Sequence, residues 1–206
     1  IAPVFFRNQP LGCTSTIIYQ MYQEKGAAID KKTAGILLAA IISDTLMFRS
    51  PTCTQMDRAA AEALAKIAEV DIEELAKKMF EAGSDFKKKT TEELFYQDFK
   101  TFHTDEFDFG VAQLSAMSDV QLGMAKKKLQ PYLEIALGEQ KLDAVFVMLT
   151  DILDENSEVI YAGAQAGSLL KECFGEPDES GSFYLKGVVS RKKQMIPTLM
   201  AGLQQA

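Results

Sequence analysis

The spacing of apolar positions changes character part-way along the chain. Over residues 12–82 it follows the three-and-four rhythm of helices. Thr14 is the expected N-cap of a first helix running towards Lys25, and Asp30 that of a second. The second contains Ala34-Gly35-Ile36-Leu37-Leu38-Ala39-Ala40-Ile41-Ile42, apolar on nearly every face and therefore expected to be buried. Thr54 or Asp57 starts a third helix, rich in alanine over 59–68, and Asp71 starts a fourth that ends at Gly83. Ahead of these, Ile1-Ala2-Pro3-Val4-Phe5-Phe6 reads as an apolar strand whose upstream partner is missing, so the sequence is expected to be part of a longer chain. It lacks the basic leader and cleavage pattern of a signal peptide.

Gly83-Ser84-Asp85-Phe86-Lys87-Lys88-Lys89-Thr90-Thr91 interrupts the periodicity with a glycine and a charge run, as linkers do. The expected organisation is a first domain over 1–83, a linker over 84–91 and a second domain over 92–206. In the second domain 98–102 and 107–114 alternate like strands. Residues 119–138 suggest one amphipathic helix with Lys126, Lys127 and Lys128 on its wet side. A buried strand over 143–149 turns through Asp154-Glu155-Asn156-Ser157 into a second over 159–162. A short helix over 165–174, a last strand over 183–189 and an apolar helix from Pro197 complete it. The fold class is α/β, the second domain carrying a mixed sheet.

Composition narrows the functional classes. The 206 residues are 47% hydrophobic and 25% charged, too apolar for disorder, and no uninterrupted apolar run reaches the ~18 residues of a membrane helix. A net charge of −7 disfavours nonspecific nucleic-acid binding. Three dispersed cysteines read as buried thiols of a reducing cytoplasm, and a single histidine allows no histidine cluster.

Two places could carry chemistry. Asp44 ends the apolar second helix, where an ionised carboxylate needs a strong partner. Either it hydrogen-bonds the loop over 50–54, or it ligates a hard divalent cation. The second place is Ser190-Arg191-Lys192-Lys193-Gln194, directly after a strand. A guanidinium fork beside a lysine point charge suits a phosphate, and a solvated basic turn is the plain alternative. Lys126-Lys127-Lys128 and Lys87-Lys88-Lys89 read as solvated charge, and Gly12-Cys13-Thr14-Ser15-Thr16 as a helix cap. Asp151 and Asp154 read as turn residues, and His103 as an exposed side chain.

Three strings resemble the family II, manganese-dependent inorganic pyrophosphatases of the DHH phosphoesterase superfamily. They are Phe6-Arg7-Asn8-Gln9-Pro10-Leu11-Gly12-Cys13-Thr14-Ser15-Thr16, then Ile42-Ser43-Asp44-Thr45 with Ser50-Pro51-Thr52-Cys53-Thr54, and finally Gly187-Val188-Val189-Ser190-Arg191-Lys192-Lys193-Gln194. The resemblance implies the helical C-terminal part of a DHH-type α/β domain followed by a smaller substrate-binding α/β domain. It implies that Asp44 ligates one metal of a dinuclear Mn2+ centre (Co2+ or Mg2+ being possible substitutes), and that Lys100, Arg191 and Lys192 hold the phosphates of pyrophosphate. The family's remaining ligands, including an Asp-His-His motif, do not occur in this sequence. The dinuclear site is therefore expected to be completed by a missing N-terminal part of the same protein. The resemblance further implies a cytoplasmic homodimer, with a regulatory CBS insert left open. The other readings are a DHH phosphoesterase acting on short polyphosphate or a nucleotide, and a noncatalytic anion-binding module.

Overall fold

The computed structural model describes residues 3–83 and 86–204. The chain divides into two compact units, Ile1–Met79 and Phe80–Ala206. Among the described residues no helix is long and apolar enough to cross a membrane.

The first unit is helical: α1 (Thr14–Glu24), α2 (Lys31–Asp44), α3 (Gln55–Ala68) and α4 (Ile72–Gly83), the last running across the division. Leu37, Leu38, Ile41 and Ile42 of α2 are buried, as are Ala60, Ala61, Leu64, Ala65 and Ala68 of α3. The alanine face lets the two helices approach closely, which is how a short helix pair reaches the density of a core. Contrary to its uniformly apolar sequence, α2 keeps a wet face, with Ile36 71% exposed. Asp30 caps α2 through the amides of Lys32 and Thr33. The cap of α1 falls one residue earlier than its sequence suggests: Cys13 Sγ, rather than Thr14, accepts from the Ser15 amide.

The expected opening strand is not formed over residues 3–9, and Ile1 and Ala2 lie outside the described residues. Val4, Phe5 and Phe6 are exposed. An extended run is a strand only when its amides find a ladder, and residues 3–9 are not part of the described five-stranded sheet.

The second unit begins with α5 (Thr91–Tyr96) and is built on β1 (Phe99–His103), β2 (Asp108–Ala116), β3 (Ala144–Asp151), β4 (Asn156–Ala162) and β5 (Phe183–Lys186), in that spatial order. β2 and β3 are parallel and the other pairs antiparallel. The sheet is mixed: a long helical connection returns the chain from β2 to β3 in the same direction, while β3–β4 is a tight hairpin. Along β3 alternate residues feed two cores. Val145, Val147 and Leu149 pack with α5, α6 (Asp119–Leu129) and α7 (Leu133–Gln140). Phe146 and Met148 pack with α8 (Ala166–Phe174) and α9 (Ile196–Leu203).

Three expectations change here. The single helix over 119–138 is two helices joined by a 3-10 turn at Gln130–Tyr132, because Pro131 offers no amide to continue the ladder. The last strand stops at Lys186 rather than Val189, since Gly187 turns the chain with φ +72°. Lys126 and Lys128 are not solvated charge. Lys126 pairs with Glu158, and Lys128 Nζ donates to the carbonyls of Phe86, Lys87 and Lys89 at 2.8, 3.3 and 2.9 Å. Lys128 thereby fastens the described part of the expected linker, whose Phe86 is buried in the second unit, and Thr90 goes on to cap α5. Ser84 and Asp85 lie outside the described residues.

Candidate functional site

In the first unit the chemistry gathers where α2 ends and α1 and α3 begin. Asp44 is the last residue of α2 and is exposed, so water meets the solvation demand that its apolar sequence context seemed to impose. It does not tie the following loop, whose hydrogen bonds run instead to Thr45, Ser50 and Asp57. Burial, and after it the neighbouring Asp44 carboxylate, push the Cys13 thiol up to about 11. Leu46, Met47 and Phe48 then take left-handed backbone, with φ of 47°, 51° and 68°. Three successive non-glycine residues in that region are costly. Arg58 holds the turn from outside, donating to Phe48 O at 2.8 Å and lying 5.0 Å from the Phe48 ring centroid.

The organising group is Asp57, which the sequence offered only as a possible helix start. Its fully buried carboxylate accepts from Gly12 N (2.9 Å), Cys13 N (3.3 Å), Thr16 Oγ1 (2.6 Å), Thr54 N (2.8 Å) and Thr54 Oγ1 (2.7 Å). One side chain thus satisfies amides at the starts of both α1 and α3. The Thr54-x-x-Asp57 spacing of a capping box was the available signal. Gly12 is required beside it. A Cβ there would stand 2.8 Å from Thr45 Cγ2, 3.0 Å from Asp57 Oδ2 and 3.2 Å from Cys53 Cα. We expect Gly12→Ala to lower the stability of the first unit by about 2 kcal/mol, the scale of overpacking a close contact. Chemical denaturation read at α1 and α3 checks this.

Among the described residues no group of three or more His, Cys, Asp or Glu side chains could hold a metal ion. Asp57 has its oxygens engaged by protein donors, which leaves Asp44 as an open carboxylate. The described residues therefore do not build a manganese centre by themselves, although Asp44 suits one position of a larger ligand set.

In the second unit the turn after β5 is pinned from several sides. Gln113 on β2 donates from Nε2 to Val189 O and Thr150 Oγ1, both at 3.0 Å, and accepts from Arg191 N at 3.3 Å. Gln194 Oε1 accepts from the amides of Val189 and Ser190 while its Nε2 donates to Gly187 O. Ser157 Oγ donates to Val188 O at 2.6 Å, and Asn156 Oδ1 accepts from Gly187 N at 3.0 Å. Arg191 opens a short π-helical turn, Arg191–Met195, capped by Ser190.

Arg191 is only 7% exposed. Its Nη1 donates to Asp98 O and to Val111 O (3.0 Å), and its Nη2 to Asp98 Oδ1 at 2.8 Å. Lys100 on β1 is in register with Val111, the residue whose carbonyl accepts from Arg191, and it lies two residues after Asp98, which is in the turn just ahead of β1. Lys100 and Lys192 are exposed. Lys100 thus sits on the strand paired with β2, whose Val111 carbonyl helps hold Arg191, and Lys192 follows Arg191 in the turn. Asp44 belongs to the other unit. Asp98 and Gln113 are the partners that sequence reading missed, since long-range hydrogen bonds leave no local pattern.

The remaining candidates are structural. Asp151 Oδ1 accepts from the amides of Leu153 and Asp154, as a turn aspartate does. Asp119 is raised above the usual carboxylate range, chiefly by a hydrogen bond with Asp151. His103 is exposed and lies 3.0 Å from Asp108.

The DHHA2 domain family matches residues 77–201. The chain is 42% identical over 202 residues to the probable manganese-dependent inorganic pyrophosphatase of Clostridium acetobutylicum, covering 98% of this chain and 65% of the relative. It is 41% identical over 197 residues to the manganese-dependent inorganic pyrophosphatase of Bacillus subtilis, covering 96% and 63%. It thus spans about two thirds of the length of these relatives. The crystal structure of the Methanococcus jannaschii putative family II inorganic pyrophosphatase superposes with a TM-score of 0.83 at 32% identity, covering 98% of this chain and 68% of that one. On sequence and fold together, the chain belongs to the family II inorganic pyrophosphatases that carry a DHHA2 domain.

Proposed function

We propose that the chain is the larger part of a manganese-dependent inorganic pyrophosphatase that hydrolyses pyrophosphate to two phosphates. In this reading residues 1–83 are the end of the metal-binding domain, 84–91 a linker and 92–206 the substrate-binding domain. Asp44 contributes one carboxylate to a dinuclear metal centre whose other ligands come from outside the 206 residues. The whole enzyme is a cytoplasmic homodimer. The names of the relatives support manganese and pyrophosphate.

The observation that carries the reading is the buried Arg191 guanidinium held against β2, with Lys192 beside it on a turn whose backbone is held by Gln113, Ser157, Asn156 and Gln194, and Lys100 on the paired strand β1. Pyrophosphate is compact and highly charged. Cations held in place stabilise it without having to reorganise on binding. Arg191 is fixed and nearly dry, where a charge acts most strongly. Lys100 and Lys192 are mobile point charges that meet the outer oxygens.

Titration of the chain with pyrophosphate, followed by amide chemical shifts, tests it. Shifts are expected at 98–100 and 187–194, with affinity falling as salt rises. Lys192→Ala should weaken binding about tenfold, the low end for a charge-assisted contact at an exposed site. Lys127→Ala, which changes net charge equally on an exposed part of α6, should leave it nearly unchanged. An equal loss in both variants would reduce the effect to a general field and overturn the site.

A further inference from the structure

Arg191 already has an anionic partner. Its Nη2 donates to the Asp98 carboxylate at 2.8 Å, while Nη1 is clamped between two backbone carbonyls, Asp98 O and Val111 O. The two halves of the fork differ in kind. The Nη1 half is buried against main-chain atoms that cannot leave. The Nη2 half faces a side chain that is 48% exposed and can rotate into water. The 2.8 Å distance at Nη2 is that at which a phosphate oxygen meets an arginine.

From this geometry we infer that Asp98 is the resident occupant of the Arg191 anion subsite, and that a phosphate group binds there by displacing the Asp98 carboxylate from Nη2 while Nη1 keeps its two carbonyls. The inference rests on the phosphate-binding reading of Arg191 and extends it. Asp98 is not itself a ligand of the substrate. It keeps a buried guanidinium charge paired when no anion is present, the state that would otherwise be costly. It also sets a threshold, because the apparent affinity is reduced by the fraction of molecules in which the latch is closed. A monovalent or weakly accepting anion gains little over the carboxylate it must replace, whereas a multiply charged phosphate gains more. Asp98 therefore discriminates by charge.

The prediction has a sign opposite to that of a merely structural residue. Asp98→Asn keeps an oxygen acceptor for Nη2 and removes the charge that competes with phosphate. In the 206-residue chain this variant should bind pyrophosphate about tenfold more tightly than wild type. It should also gain measurable affinity for inorganic phosphate and sulfate. Asp105→Asn, which makes the same change in net charge elsewhere on the second unit, should leave the affinity within about twofold. In the wild-type chain, saturation with pyrophosphate should move the Asp98 side-chain carboxyl 13C resonance as it loses its partner, a measurement that needs no variant. Tighter binding confined to Asp98→Asn, with that resonance shift, supports the latch. Pyrophosphate binding that depends on Lys192 but is unchanged or weakened by Asp98→Asn, or that leaves the Asp98 carboxyl resonance in place, overturns the latch alone. Absence of binding in both wild type and Asp98→Asn overturns the phosphate-binding reading and the latch with it.

Discussion

Replacing Asp57 by alanine is expected to destabilise the first unit by about 4 kcal/mol, the largest single-site effect in this half of the chain. The substitution removes one acceptor and strands five donors: the amides of Gly12, Cys13 and Thr54 and the hydroxyls of Thr16 and Thr54. Each buried unpaired donor costs ~1–3 kcal/mol, and entry of water into the vacated space holds the sum below the simple total. Amide hydrogen exchange at α1 and α3 is the appropriate readout, because it reports this unit apart from the sheet domain. Exchange in β3, outside the first unit, should be unaffected.

The same carboxylate makes stability pH-dependent. Burial pushes Asp57 upward, but the hydroxyls of Thr16 and Thr54 and the amides of Gly12 and Thr54 outweigh it. The net result lies below the ordinary value of 3.8. A lowered folded-state pKa means that Asp57 contributes its full stabilisation above the unfolded value and loses it as pH falls through the folded one. The first unit should therefore weaken below about pH 4, and Asp57→Ala should abolish that part of the acid sensitivity. An identical acid profile in the two proteins would assign the sensitivity to other carboxylates.

Gln113→Leu is expected to cost the second unit about 3 kcal/mol and, with it, the geometry of the turn that carries Arg191 and Lys192. Leucine fills a similar volume but leaves Val189 O and Arg191 N without their side-chain partner and takes one from Thr150 Oγ1. Two stranded polar groups at ~1–3 kcal/mol each set the scale. The functional consequence separates the two roles. Arg191 keeps its contacts with Asp98 and Val111, but its backbone is released, so Lys192 loses its aim. Pyrophosphate binding should weaken at least as much as in Lys192→Ala, although Gln113 touches no substrate. Gln113→Glu, which keeps the acceptor for Arg191 N and loses the donor to Val189 O, should recover part of the binding. Unaltered binding in Gln113→Leu would show that the turn is held adequately by Ser157, Asn156 and Gln194.

The local elements were largely legible in the sequence because their causes are local. Asp30 caps α2 where its position before an apolar run said it should, since an aspartate can reach the amides two and three residues ahead. The β3–β4 hairpin follows from an apolar run, a polar turn and a second run, with Asp151 folding back onto the amides of 153 and 154. The helical first part and the α/β second part follow from a change of hydrophobic period. The candidacy of Lys100, Arg191 and Lys192 rests on a resemblance of short strings, whose order along the chain survives folding.

What only the tertiary structure decided is which groups stand opposite one another. Residue 57 could have been a surface helix start as far as its neighbours in sequence reveal. Its role comes from α1 arriving overhead, 41–45 residues away along the chain. Arg191 could equally have been a solvated basic turn. Asp98 and Val111, 93 and 80 residues distant, bury it and occupy its fork. Lys126 and Lys128 look like one wet lysine run until Glu158 and the carbonyls of 86, 87 and 89 claim them. Periodicity, caps and turns are set by interactions within about one turn of chain, and a sequence records them directly. The satisfaction of buried charges and polar groups is a property of the packed interior, where any donor can meet any acceptor and chain separation carries no weight.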